Sequence, residues 1–323
     1  MLVALFACNC QGPGPESQHS DSDGASPWEA QLEDLDGVLL SVWGTSSSNI
    51  WVTGADGGDG PEVHHFDGTD WIREETGDTG HLWWVFGTGD QIWFVGEAGR
   101  VLRRDSSGTY TSLVSPSQAT LYGAWGASED LIYSVGGFVD GDGGPVLLAI
   151  EGDTVSEVEG LPSGIGDDEV FFKVWGSAED DVWVISQSGT VLHFDGSEWS
   201  RTLLPDEPRL VTVHGSSEDD LVIVGGSSQG VIFERRDGAA WAEVEPTGTQ
   251  PLMGVFLEDS QRGVASGMRG QVVERLDGTW SAVQGPRLIA DWHGAWIDDT
   301  GRLWLAGGNF MHLSEGTLYV RED

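Results

Sequence analysis

Lysine is all but missing from this chain: Lys173 is the only one, and the other 14 basic residues are arginines. The 53 acidic residues outnumber the 15 basic ones so heavily that the net charge is −38. Such a surface repels phosphate backbones and anionic lipid, which argues against nucleic acid as a partner. It suits a protein kept soluble in high salt or an open extracellular medium, where screening shortens self-repulsion. Cysteine is equally scarce, and Cys8 and Cys10 stand too close together to staple a fold. No apolar run approaches the roughly 18 residues of a membrane-spanning helix. No Cys/His spacing resembles a zinc site, and no glycine loop leads into the single lysine, which removes the phosphate-binding P-loop.

What the chain has instead is repetition. A short apolar strand ends in an aromatic or histidine, usually followed by Gly, at Trp43, Phe86, Trp125, Trp175, His214, Phe256 and Trp296. These anchors lie 43, 39, 50, 39, 42 and 40 residues apart. A period near forty with alternating apolar positions is that of a propeller blade, a four-stranded unit that cannot bury both faces alone. The expectation is therefore all-β, a seven-bladed β-propeller of four-stranded antiparallel blades over residues 27–323.

The fourth repeat, Phe171 to Ser200, shows the plan. Its first strand ends at Trp175-Gly176, a second runs through Val182 to Ile185, a third from Thr190 to Phe194, and Asp195-Gly196 turns into a fourth at Trp199. Asp-Gly between alternating apolar residues is a strong hairpin signal, because both residues tolerate positive φ. Asp67-Gly68, Asp237-Gly238, Asp277-Gly278 and Glu315-Gly316 fill the same slot. Recurrence marks most of the 16 tryptophans as core, and it marks His65, His193 and His214 as structural. Fourth-strand aromatics precede the next anchor by 15 residues at Trp71, Tyr110, Trp199 and Trp241, and Trp28 stands 15 before Trp43. The N-terminal segment is thus expected on the last blade, competing with Thr317 to Arg321 for one place. Gly226 to Gly230 matches the G-x-S-x-G expression but falls in a hairpin, not on the strand-to-helix turn a nucleophile elbow needs.

The pattern V-W-G-S-x-x-D-V-W-x-V-G followed by H-F-D-G-x-x-W resembles the tandem propeller repeats of bacterial secreted lipoproteins, and the Asp-Gly hairpin is distantly similar to the Asp-box of sialidase-type propellers. The opening, Leu5-Phe6-Ala7-Cys8, resembles a bacterial lipobox. It implies residues 1–8 as signal remnant, a diacylglycerol on Cys8, and a protein anchored to the cell envelope or secreted. Residues 9–26 have the Gly, Pro, Ser and Asp composition of a tether. The membrane is then touched only through that anchor.

Function is written less plainly. Two residues before the anchors stand Ser41, Trp84, Gly123, Lys173, Thr212, Gly254 and Gly294, a slot that varies where blade cores repeat. It is expected to face the channel, with Trp84 and Lys173, joined by Tyr122 and His293, forming a polar and aromatic mouth for a glycan or protein ligand. Two glycine-rich insertions, Gly54 to Pro61 and Gly136 to Pro145, carry Asp56, Asp59, Asp140 and Asp142; carboxylates on such turns can hold calcium, although solvated turns account for them as well, and no other cofactor is implied. The reading is a monomeric, non-enzymatic binding scaffold using the face with the second-to-third and fourth-to-first strand loops. The rival is a propeller glycosidase or lyase, which needs a paired acid and nucleophile; the scattered arginines and carboxylates show no such constellation.

Overall fold

The computed structural model describes residues 26–140, 143–244 and 249–322. Cys8, the tether up to residue 25, and Asp142 lie outside them. Seven four-stranded antiparallel sheets follow one another around an axis, as expected. The innermost strands are Leu39–Ser46, Leu82–Thr88, Thr120–Trp125, Phe171–Ala178, Leu210–Ser217, Leu252–Leu257 and Asp291–Ile297. In six blades the remaining three strands follow outward in chain order.

The last blade is built differently, and the competition for its outer place resolves simply. Its order outward is Asp291–Ile297, Leu303–Asn309, Ser314–Arg321 and then Trp28–Leu35. The Ser314–Arg321 segment is thus the third strand, and the N-terminal strand is the fourth, with Trp28 opposite Arg321 and Ala30 opposite Tyr319. Glu315-Gly316 is consequently no outer hairpin. It lies at the start of the third strand, where Glu315 takes a positive φ of 57°. Trp28 is buried and its indole donates to Gln284 O at 3.0 Å, fixing the first strand against the sixth blade.

The Asp-Gly hairpins divide into two kinds. At Asp237-Gly238 and Asp277-Gly278 both residues have positive φ, as expected. At Asp67-Gly68 and Asp195-Gly196 only the glycine does. There the aspartate closes the loop with its carboxylate: Asp67 Oδ1 accepts from the amides of Thr69 and Asp70 at 2.9 and 3.0 Å, and Asp195 Oδ1 from Ser197 and Glu198 at 2.9 and 3.0 Å. The Ser197 hydroxyl and these amides hold the Asp195 carboxyl down at about 2. Gly226 to Gly230 does connect two strands of the fifth blade, Asp220–Gly225 and Val231–Arg236.

The recurring aromatics are of two depths. Those of the second strand, Trp51, Trp93, Tyr133, Trp183 and Trp304, are buried, and the outer aromatic of the following blade often meets them edge-on, as Trp241 does Trp183 at 5.7 Å. His65 stacks on Trp51 at 4.0 Å and His193 on Trp183 at 3.8 Å. Asn49 ties the first pair together and Asp181 the second, which confirms their structural role.

Phe86 and Trp296 are buried as expected, but three anchors are shallower: Trp43, Trp125 and Trp175 are only half-buried. Each lies across the glycine that follows the next anchor. A Cβ on Gly87, Gly176 or Gly215 would stand 2.3, 2.6 or 2.5 Å from the ring of Trp43, Trp125 or Trp175. The recurrent aromatic-Gly pair is thus one joint split between neighbouring blades. Gly87→Ala is expected to cost about 1–3 kcal/mol by overpacking. In chemical melts, Trp43→Leu should restore part of that loss; strict additivity of the two changes would show that the ring and glycine do not share this joint.

Candidate functional site

Every innermost strand carries a one-residue bulge three positions before its anchor. The bulged residues are Leu40, Trp83, Tyr122, Phe172, Val211, Met253 and His293, each skipped in the pairing of its strand with the next. A bulge re-aims a side chain, and the seven gather into one axial cluster. Trp83 meets Tyr122 at 5.0 Å and His293 at 6.0 Å, and Tyr122 meets Phe172 at 5.2 Å. All seven are buried. Phe310, in the turn between the second and third strands of the last blade, completes the cluster by stacking on His293 at 5.5 Å with ring planes 4° apart. The channel is therefore closed at the end nearest the starts of the innermost strands, which is the loop-rich face. Six of these positions are apolar or aromatic, a regularity visible in the sequence once its significance is known.

One residue further on, the variable slot does face the axis. Lys173 and Trp84 belong to the fourth and second blades, yet the Lys173 ammonium lies 4.3 Å from the Trp84 ring centroid. They meet over Gly123 of the blade between, where a Cβ would stand 3.1 Å from Lys173 Cδ. A Cβ on Gly254 would stand 2.6 Å from His293 O. The slot varies because seven positions converge on space for few large side chains, so Trp and Lys at two of them go with glycine at others.

The four residues expected at an open mouth are thus brought together, but inside. Lys173, Tyr122 and His293 are 3, 4 and 5 % exposed, and Trp84 is half-buried. Lys173 Nζ donates to Tyr122 O at 2.6 Å, and His293 Nδ1 lies 2.5 Å from Leu40 O. Burial pushes the lysine down to about 7. Burial, and then the nearby lysine, pushes His293 to about 3, so its imidazole is neutral. A face of Trp84 is covered by the ammonium, which leaves it poorly placed as a sugar platform. The expected mouth is corrected to a sealed axis, because a bulge and a convergent slot fill the space a ligand would need.

The calcium candidates are dispersed over two blades. Asp56 Oδ1 accepts from the amides of Gly58 and Gly60 at 2.7 and 3.1 Å, and Oδ2 from Gly80 at 2.7 Å. The Gly80 bond is the largest influence on this carboxyl and carries its pKa below the ordinary value against the opposing effect of burial. Asp59 and Asp140 are exposed on separate loops. Among the described residues no three His, Cys, Asp or Glu side chains cluster to hold a metal.

What sequence reasoning missed lies on the loop-rich face, beside the closed axis. A cleft of about 410 Å³ runs between the sixth and seventh blades, lined among others by Leu288, Ile289, Met311, Glu33, Asp34 and Glu315. Leu288, Ile289 and Met311 are 44, 80 and 62 % exposed, and Glu33, Asp34 and Glu315 are exposed beside them. A second cleft, of about 520 Å³, opens on the same face against the third blade, between Pro116 to Gln118 and Phe138. Leu288-Ile289 follows a strand in sequence and reads there as more core; only its place in a connection leaves it uncovered.

No family model and no curated protein matches the sequence. Among solved structures, the chain resembles YCF48 bound to D1 peptide, with a TM-score of 0.69 at 13% identity over 93% of this chain and 96% of that one. It resembles YCF48 from Cyanidioschyzon merolae, at 0.67 and 14% over 92% and 99%, and the WD40 β-propeller domain of Doa1, at 0.69 and 11% over 92% and 97%. At these identities the likeness establishes the architecture alone: the chain is an all-β, seven-bladed propeller.

Proposed function

We propose that this propeller is a non-enzymatic binding scaffold that holds a protein segment in the cleft between its sixth and seventh blades. The observation that carries the reading is the gathering of Leu288, Ile289 and Met311, exposed, in one cleft of a molecule with net charge −38. Large apolar side chains kept in water beside carboxylates cost solubility unless a partner covers them. The occupant that fits is a segment with apolar side chains flanked by Lys or Arg, which Glu33, Asp34 and Glu315 attract. The solved propeller bound to D1 peptide supports a protein ligand by analogy of fold.

A display library of linear peptides, selected on the immobilised full chain, tests this. Enriched peptides are expected to combine apolar and basic residues. Ile289→Asp with Met311→Asp should weaken them at least about tenfold, or 1.4 kcal/mol, with an unchanged melting temperature. Selected peptides that bind the double variant as well as the parent would remove the cleft from the reading.

A further inference from the structure

The end of the propeller opposite the clefts carries an aromatic surface. The innermost strands finish there, and the anchors of four successive blades, Trp125, Trp175, His214 and Phe256, are only half-buried. They form one arc. The Trp125 ring lies against Gly176, beside Trp175, and the Trp175 ring against Gly215, beside His214. His214 in turn meets Trp175 at 5.7 Å and Phe256 at 4.4 Å. Blade packing does not require this exposure, because Phe86 and Trp296 fill the same position and are buried. Nor does the arc carry charge: His214 Nδ1 accepts from the Leu257 amide at 3.1 Å, and burial pushes the imidazole down to about 3, so it is neutral.

What borders the arc specifies what would cover it. The hairpins that follow Trp125, Trp175 and His214 carry paired carboxylates, Glu129-Asp130, Glu179-Asp180 and Glu218-Asp219, all exposed. Residues 125–131, 175–181, 214–220 and 256–261 contain no Lys or Arg. Two arginines at this end are already engaged: Arg235 lies 5.1 Å from the Trp183 ring centroid and donates to Glu218 O at 2.8 Å, and Arg262 pairs with Glu258 at 3.0 Å. Glu179 is held in place by the blade before it, accepting from the Ser128 hydroxyl at 2.6 Å. Uncovered aromatic surface favours an apolar contact, while the carboxylates beside it repel anions and attract a cation. A guanidinium meets both demands, because its flat face stacks on an aromatic ring while its edge pairs with a carboxylate. A metal ion does not, since among the described residues no three such groups gather on one point.

We infer that this arc is a docking surface for an arginine-rich segment of a partner protein, with guanidinium groups lying over Trp125, Trp175 and Phe256 and paired to the hairpin carboxylates. It is separate from the cleft between the sixth and seventh blades and does not depend on it. The test titrates fluorophore-labelled hexa-arginine amide into the full chain at physiological salt and follows anisotropy. Glu129→Gln, Glu179→Gln and Glu218→Gln together are expected to weaken binding at least about tenfold. Asp59→Asn, Glu75→Gln and Asp167→Asn remove equal charge from the loop-rich face and should change it less than about twofold, because screening confines the attraction to nearby groups. Hexa-arginine should bind about threefold more tightly than hexalysine, as stacking on an aromatic face favours the guanidinium. In the ¹⁵N-tryptophan-labelled chain, the Trp125 and Trp175 indole signals, assigned by their loss in Trp125→Phe and Trp175→Phe, should move with hexa-arginine. Equal losses from the two triple variants, or hexalysine binding as tightly as hexa-arginine, would reduce the attraction to that of a diffuse acidic surface and overturn the inference. Indole signals that maltohexaose moves and hexa-arginine does not would overturn it in favour of a glycan. Peptide binding lost through the cleft variants leaves this result intact.

Discussion

Replacing Arg275 by methionine is expected to lower the stability of the fold by about 3–5 kcal/mol, the usual loss when one partner of a buried ion pair is removed. Arg275 is fully buried in the sixth blade. Its two terminal nitrogens lie 3.0 and 3.3 Å from the Asp220 carboxylate of the fifth blade, and its Nε is 3.5 Å from Glu234. Glu234 Oε1 also accepts from Trp280 Nε1 and Arg236 Nη2, each at 2.8 Å. Methionine fills much of the volume but leaves the buried Asp220 carboxylate without its countercharge across the blade interface, while Glu234 keeps Arg236. Arg103→Met is the control, because its partner Asp153 is 75% exposed and exposed pairs contribute about 0–1 kcal/mol. Guanidinium melts of both variants measure the contrast. Equal midpoint shifts would show that the Arg275 network adds no more than a surface pair.

The second large effect has the opposite sign and depends on pH. Lys173→Met is expected to stabilise the protein at pH 6 to 7, because the ammonium is buried on the axis at a cost the thioether does not incur. Burial takes the amine from 10.5 to about 7. Between those values the unfolded chain binds the proton and the folded one does not, so wild-type stability rises with pH. Below pH 7 both states are charged and the penalty is complete. Between pH 7 and 10 the wild type should therefore recover about 4 kcal/mol relative to Lys173→Met, three units at about 1.36 kcal/mol each. Comparing the two proteins at each pH cancels the titration of the shared acidic surface. A difference that stays constant across that range would mean the amine remains charged, held by Tyr122 O and the Trp84 ring.

The blades were legible because their chemistry repeats: Trp183, His193 and Asp195 recur in kind, and recurrence separates core from accident. What was not legible depends on neighbours that a single repeat does not contain. Lys173 reads as a cation at an open channel mouth until Gly123 and Trp84, from two other blades, are seen to enclose it. The bulge at Leu40 or Met253 is invisible as a pattern, since an apolar residue one place off phase looks like one more member of the strand. Asp67 and Asp237 precede the same glycine but close loops of different length, and only the backbone tells a capping carboxylate from a residue of positive φ. Ile289 lies exposed for a similar reason: an apolar side chain in a connection is covered or bare according to the blade beside it.

The placement of Trp28–Leu35 outside Ser314–Arg321 also sets a timetable. Ribosomal synthesis produces the first of these strands long before the second, so it stays without its partner while the six intervening blades are made. Six blades can condense in order behind the ribosome, each local in sequence; the seventh must join segments almost 290 residues apart. Its assembly is therefore the slow, non-local event of folding. Placing the first strand after residue 321 instead, joined by a short turn, would make all seven blades local and take the delay out of biogenesis while keeping the strand order of that sheet.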